Sequence, residues 1–138
     1  MYVKTCYYMR LDSLMMAHES FSHEAKDGTL RAWDVTVGNA IVRDGRPLEI
    51  FSLIEHGVTR EKIDAIYNNL DWEYAKTTDI TKPLLFAPFQ GEMLQLDGWH
   101  RVGRACMEGI SELPMYLLTE EEAERIQWLC LPSKYAKK

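Results

Sequence analysis

Asp97-Gly98-Trp99-His100-Arg101 sets a carboxylate, a glycine, an imidazole and a guanidinium in one short run. Met93-Leu94-Gln95-Leu96 before it reads as a strand, and a helix is expected from Trp99 onward. A helix start offers unpaired N–H groups and the positive end of the macrodipole, which favours an anion. Gly98 lets the backbone approach a ligand closely. Arg101 can grip phosphate oxygens through two parallel N–H bonds. His100 can donate a hydrogen bond or move a proton near neutral pH. Asp97 can hold the turn, cap the helix, orient His100 or meet a Mg²⁺ ion. Arg104, one turn after His100, falls on the same side of the helix. The expected site is therefore His100 and Asp97 for catalysis, with Gly98, His100, Arg101 and Arg104 on phosphate and Asp97 on Mg²⁺. A competing structural use is visible as well, because Arg104 and Glu108 form an i,i+4 pair.

The elements that must hold this turn follow from periodicity and stop signals. Pro83–Phe89 and Met93–Leu96 read as strands joined at Gln90-Gly91-Glu92. Trp99–Gly109 reads as a helix with Trp99, Val102, Cys106 and Ile110 on its buried stripe and Gly109 as its end. Leu113–Leu118 is a short apolar strand. Thr119-x-x-Glu122 is a capping box that opens a helix to about Cys130. The second half thus predicts strand–turn–strand–helix–strand–helix.

The first half is less regular. Tyr2–Leu11 reads as a strand. Asp12–Leu30 is polar and loop-like, with a short helix at Asp12–Ala17. Trp33, Val35 and Val37 alternate as in a half-buried strand, and Ala40-Ile41-Val42 forms a second run that stops at Asp44-Gly45. Pro47 and Gly57 bracket an expected helix whose apolar face holds Leu48, Phe51 and Ile54, with Val58 completing a Schellman-type stop. Thr59 then caps a second helix with Ile63, Ile66, Tyr67 and Leu70 on one face.

The chain has 138 residues, 46% hydrophobic and 27% charged, as expected of one soluble domain with a real core. A net charge of −5 argues against a broad electrostatic footprint on nucleic acid or anionic membrane. Arg101, Arg104 and Lys82 are the best material for a local basic patch. Cys6, Cys106 and Cys130 are widely separated, without zinc-ligand spacing. With no signal-peptide pattern at Met1–Thr5 and no membrane-length apolar run, a cytoplasmic protein with no zinc, no haem and no membrane partner is expected.

Leu96-Asp97-Gly98-Trp99-His100-Arg101-Val102-Gly103-Arg104-Ala105, then Glu108-Gly109-Ile110, then Leu113–Thr119, resembles the core of the ParB/sulfiredoxin-like superfamily. That core has a strand, a D/G-G-x-H/R-R turn, a helix ending in glycine, and a strand with a proline. The resemblance covers residue 82 to about 123. It implies a small mixed sheet with packed helices, an α/β (α+β) fold that binds nucleotide phosphates at this turn. In relatives the site serves ATP, CTP or ADP. Gly98, His100 and Arg101 fall on the family's phosphate-binding positions, and Asp97 falls where kinase-like and mobile-element members carry Asp. Trp99 stands where sulfiredoxin has its catalytic cysteine, so thiol-dependent sulfinic acid reduction is excluded. Cys106 is expected to be an inert core thiol. The helical DNA-binding domain of the partition proteins has no counterpart here, which points away from a partition clamp.

The expected organisation is one domain, 1–138, with a β-rich elaboration at 1–46, a helix pair at 47–70 and the family-like core at 82–131. The expected function is nucleotide binding with phosphoryl hydrolysis or transfer, using ATP, ADP or CTP with Mg²⁺. One alternative is a DNA-directed nuclease or regulator of the mobile-element kind. Its carrier is the helix pair at 47–70, with Arg60, Lys62, Asn68 and Asn69 facing base edges. The other alternative is a protein-binding inhibitor of phage or plasmid type on the same fold. Glu49, Glu55, Asp79 and Glu92 are general-base candidates if folded near Arg101. His18, His23, Glu19 and Glu24 form a polar cluster that reads as a mobile loop.

Overall fold

The computed structural model describes residues 7–10, 18–43, 45–67 and 70–133. The fold is α+β, with two four-stranded sheets. The chain divides into two compact units, one from residues 1–44 with 119–138 and the other from 45–118. Residue 118 ends the second unit, so the stretch 82–131 runs through both.

The discontinuous unit holds β1 (Tyr8–Met9), β2 (Ser20–Glu24), β3 (Thr29–Asp34), α1 (Val35–Val42), α5 (Glu120–Ile126) and β8 (Gln127–Pro132). Its sheet is antiparallel in the order β1-β8-β3-β2. Where a loop was expected, β2 forms a ladder with β3, from Ser20 opposite Asp34 to Glu24 opposite Leu30. β2 exposes Ser20, Ser22 and Glu24 and half-buries Phe21 and His23. A one-sided edge strand of this kind has too little apolar content to announce itself in composition.

Two strand expectations here become a helix. The alternation of Trp33, Val35 and Val37 suggests a strand running on, but β3 stops at Asp34. The Asp34 carboxylate accepts the Val37 N–H at 3.0 Å and caps α1. Val35, Gly38 and Val42 are then buried at helical spacing, and Ala40-Ile41-Val42 lies in that helix. The Thr119–Glu122 capping box opens α5 as expected, with reciprocal bonds of 2.9 and 3.1 Å. The helix ends at Ile126 rather than near Cys130. Trp128–Leu131 is an apolar run that periodicity alone cannot assign. Pairing with β3 and β1 makes it a strand, with Cys130 only 1% exposed. The expected helix at 12–17 lies outside the described residues.

The 45–118 unit holds β4 (Glu49–Ser52), α2 (Arg60–Ile66), α3 (Trp72–Ala75), β5 (Leu84–Phe89), β6 (Glu92–Asp97), α4 (Trp99–Glu108) and β7 (Glu112–Leu117). The sheet order is β4-β7-β5-β6. β5 and β6 form an antiparallel hairpin, turned by Gln90 and Gly91 at φ +49° and +78°. Two successive positive φ values suit a two-residue hairpin turn. α4 then carries the chain across to β7, which lies parallel to β5. The core gathers Phe51, Leu53, Ile63, Leu70, Leu84, Phe86, Val102, Ala105, Leu113 and Met115.

The helix pair at 47–70 is corrected. Its first member is β4, paired antiparallel to β7 with Phe51 opposite Leu113. Phe51 and Leu53 are buried two residues apart, whereas Leu48, Ile50 and Ile54 are 54, 62 and 77% exposed. The alternating period of a strand has displaced the helical one. The expected stop still forms: Val58 N–H donates to the Leu53 carbonyl at 2.9 Å and Gly57 takes φ +61°, closing a single turn. Thr59 caps α2 through the Lys62 N–H at 3.1 Å. Ile63 is buried, but Ile66, expected on the same face, is 62% exposed.

Candidate functional site

β6 delivers Asp97 to the edge of the turn, and Gly98 makes the corner. Gly98 adopts φ +104° and is the N-cap of α4, with no side-chain cap. Asp97 thus does not cap the helix, because it is still the last residue of β6. A Cβ at position 98 would lie 2.3 Å from Leu84 Cδ2 and 3.1 Å from Arg101 Nη2. Glycine is required here both for conformation and for space. The first helical bond runs from Val102 N–H to the Gly98 carbonyl at 3.0 Å, so the amides of residues 99–101 precede the helical ladder.

Arg101 folds back over this corner. Its Nη2 lies 3.3 Å from Asp97 Oδ2, and its side chain is 12% exposed. The loop before β5 adds a second carboxylate to its surroundings. Asp79 Oδ1 accepts the Thr81 hydroxyl at 2.6 Å and the Thr81 N–H at 3.0 Å. These two bonds hold the Asp79 carboxyl below its ordinary range, and the charges of Lys82 and Arg101 act in the same direction. Asp79, one of the four general-base candidates, is near enough to Arg101 for the two charges to interact. Its lowered proton affinity makes it a weaker base than an ordinary aspartate. Glu92 sits at the opposite end of β6 from Asp97, and Glu49 and Glu55 are on and after β4.

His100 meets aromatic rings. Tyr74 packs edge-on to it at 4.9 Å and Tyr67 at 6.0 Å, and Tyr67 also stacks on Trp99 at 5.5 Å. The Trp99 indole N–H is buried with no hydrogen-bond partner among the described residues. Tyr74 belongs to α3, in a stretch where periodicity suggested no element, so its place beside His100 has no local signal. Arg104 points away into a structural tie. Its Nε donates to Glu108 Oε2 at 2.9 Å, and its Nη1 donates to the Thr78 carbonyl. The i,i+4 pair with Glu108 therefore forms, and the guanidinium also anchors the 78–82 loop. Gly103 lets α4 approach this region, since a Cβ there would lie 2.8 Å from Leu70 Cδ2. Cys106 is half-buried against the core.

The structure therefore brings together Asp97, Gly98, His100 and Arg101, adds Asp79, Thr81 and Lys82, and engages Arg104 elsewhere. Among the described residues, no three His, Cys, Asp or Glu side chains gather to hold a metal ion. His23 and Glu24 lie on β2 and not on a loop, while His18 and Glu19 lie in the irregular backbone that leads into it. Asn68 and Asn69 lie outside the described residues. Among the described residues no helix is long and apolar enough to cross a membrane. Comparison with family models, curated proteins and solved structures finds no match to this chain.

Proposed function

We propose that the Gly98–Arg101 turn binds the phosphate groups of a nucleotide, and that the protein hydrolyses or transfers a phosphoryl group. This is the activity implied by the resemblance to the ParB/sulfiredoxin-like superfamily. The observation that supports it best is the corner itself: an uncapped helix start at a left-handed glycine, with Arg101 folded over it. Phosphoryl transfer depends mainly on positioning and charge neutralisation, which amides and a guanidinium supply.

In this reading the amides after Gly98 and the Arg101 guanidinium hold phosphate oxygens. His100 donates to a terminal phosphate from between Tyr67 and Tyr74. Asp97 shares Arg101 with the incoming anion, so binding replaces part of a carboxylate pairing with a phosphate pairing. A Mg²⁺ ion in this reading would be carried in on the phosphates and would meet Asp97, rather than being held by protein ligands alone. Such an ion would neutralise phosphate charge, and Asp97 would orient it. Arg104 contributes by fixing the 78–82 loop. Calorimetric titration of ATP, ADP and CTP, with and without Mg²⁺, tests the reading against Arg101→Ala. Micromolar to millimolar binding lost in the variant supports it. Absence of binding by every nucleotide at millimolar concentration would refute it.

A second reading, the protein-binding inhibitor, has one observation in its favour. The edge strand β4 and its flanks expose Leu48, Ile50 and Ile54, the kind of apolar surface that a partner can cover. The DNA-directed reading loses its carrier, because residues 49–52 are a strand and not the first helix of a pair.

A further inference from the structure

Away from the α4 turn, His18 and Asp34 form a second chemically competent arrangement. His18 Nδ1 lies 2.7 Å from Asp34 Oδ2, with the Asp34 side chain 8% exposed and the His18 side chain 18% exposed. An ionised carboxylate only accepts, so in the neutral ring Nδ1 carries the proton and Nε2 the lone pair. Asp34 is itself held by the Val37 N–H at 3.0 Å. The backbone beside His18 is fixed on both sides of Glu19, whose N–H donates to Thr36 Oγ1 at 2.9 Å. The Glu19 carbonyl accepts the Val35 N–H at 2.9 Å. Ser20, paired with Asp34 in the sheet, accepts the Trp128 indole N–H at 2.9 Å. None of these bonds uses the distal nitrogen.

We propose that His18 is a nucleophile toward small phosphoryl donors, with Nε2 as the attacking atom and Asp34 as the group that positions it. Attack forms an Nε2–P bond and breaks the bond from phosphorus to the leaving group, which for a phosphoramidate is ammonia. The ring then carries a positive charge with its proton still on Nδ1. That charge develops 2.7 Å from the buried Asp34 carboxylate, which stabilises it. His56 provides an internal comparison. Its Nδ1 donates to the Ser52 carbonyl at 2.8 Å, which sets the same tautomer, but its partner is neutral. His56 is also the more exposed of the two. Access favours His56, and the carboxylate favours His18.

Incubation of the whole chain with potassium phosphoramidate, followed by ³¹P NMR and site mapping by mass spectrometry, separates these effects. His18 is expected to label ahead of His56. Asp34→Asn is expected to slow His18 roughly tenfold or more, the worth of a hydrogen bond to a charged group, while His56 is unchanged. Asparagine caps a helix about as well as aspartate, so α1 is retained. Equal or faster labelling of His56, or an unchanged His18 rate in the folded variant, overturns the proposal. Should Asp34→Asn fail to fold, ¹⁵N NMR of the neutral His18 ring in the unmodified chain decides: a proton on Nδ1 supports the proposal, and one on Nε2 overturns it.

Discussion

Arg101 is the residue on which the phosphate reading turns. It has one carboxylate at 3.3 Å and a further acid, Asp79, within range of its charge. A charge-assisted contact to phosphate contributes about 1.5–3 kcal/mol, so Arg101→Ala should weaken nucleotide binding by roughly one to two orders of magnitude. Gly98→Ala tests the corner that carries it. The substitution forces an L side chain into φ +104° and sets a methyl 2.3 Å from Leu84 Cδ2. Urea denaturation should report a loss of about 1–3 kcal/mol or more. An unaltered midpoint would show that the corner relaxes freely. Asp79 makes a prediction in pH. Its folded proton affinity is depressed by the Thr81 bonds, so its contribution is present above the ordinary carboxylate range. That contribution is lost as pH falls through the depressed folded value. Thr81→Val should therefore flatten the acid limb of the stability profile slightly, because Asp79 is at the surface. Urea midpoints at a series of acidic pH values measure it.

At the scale of elements, the signals that succeeded are those closed within a few residues. The Thr119 box, the Thr59 cap and the Gly109 stop each satisfy a helix end with atoms next to it in sequence. Thr119→Ala should cost about 1 kcal/mol and show as a lower thermal midpoint. The signals that failed are short apolar runs. Leu48–Ile54, Val35–Val42 and Trp128–Leu131 each fit either a helix or a strand over so few residues. For residues 49–52 and 127–132 a neighbouring strand decided the matter, and for residues 35–42 the Asp34 cap did. The site divides along the same line. Asp97–Arg101 and Arg104–Glu108 are i,i+4 pairs and were open to inference. Tyr74 beside His100, and the Thr78 carbonyl on Arg104, join distant parts of the chain and had no local mark.

For the whole molecule, the division into units is the property with the largest consequence. β8 lies between β1 and β3, yet it is built from residues 127–132 at the far end of the chain. A chain stopped after Leu118 loses this inner strand and α5 together. Backbone amide spectra should then retain dispersed signals from residues 45–118 and lose those of residues 18–43. Retention of both sets would mean that β2, β3 and α1 hold together without β8. The 45–118 unit contains its own sheet, its own core and the Gly98–Arg101 turn, so under the proposed function any nucleotide binding by the whole chain is expected to survive the truncation.

From sequence alone, the α+β class, the Thr59 and Thr119 caps, the Gly109 stop, the β5–β6 hairpin and the grouping of residue types at Asp97–Arg101 were determined, because each depends on residues adjacent along the chain. The tertiary structure alone decided that β4 is a strand, that the last apolar run crosses into the N-terminal sheet, and that Arg104 anchors a loop. It also placed Tyr74 and Asp79 around the turn and set His18 on Asp34. The physical reason is common to these cases. A short apolar segment or a long cationic side chain takes its state from the partner that satisfies its backbone or its charge, and that partner can lie anywhere in the chain.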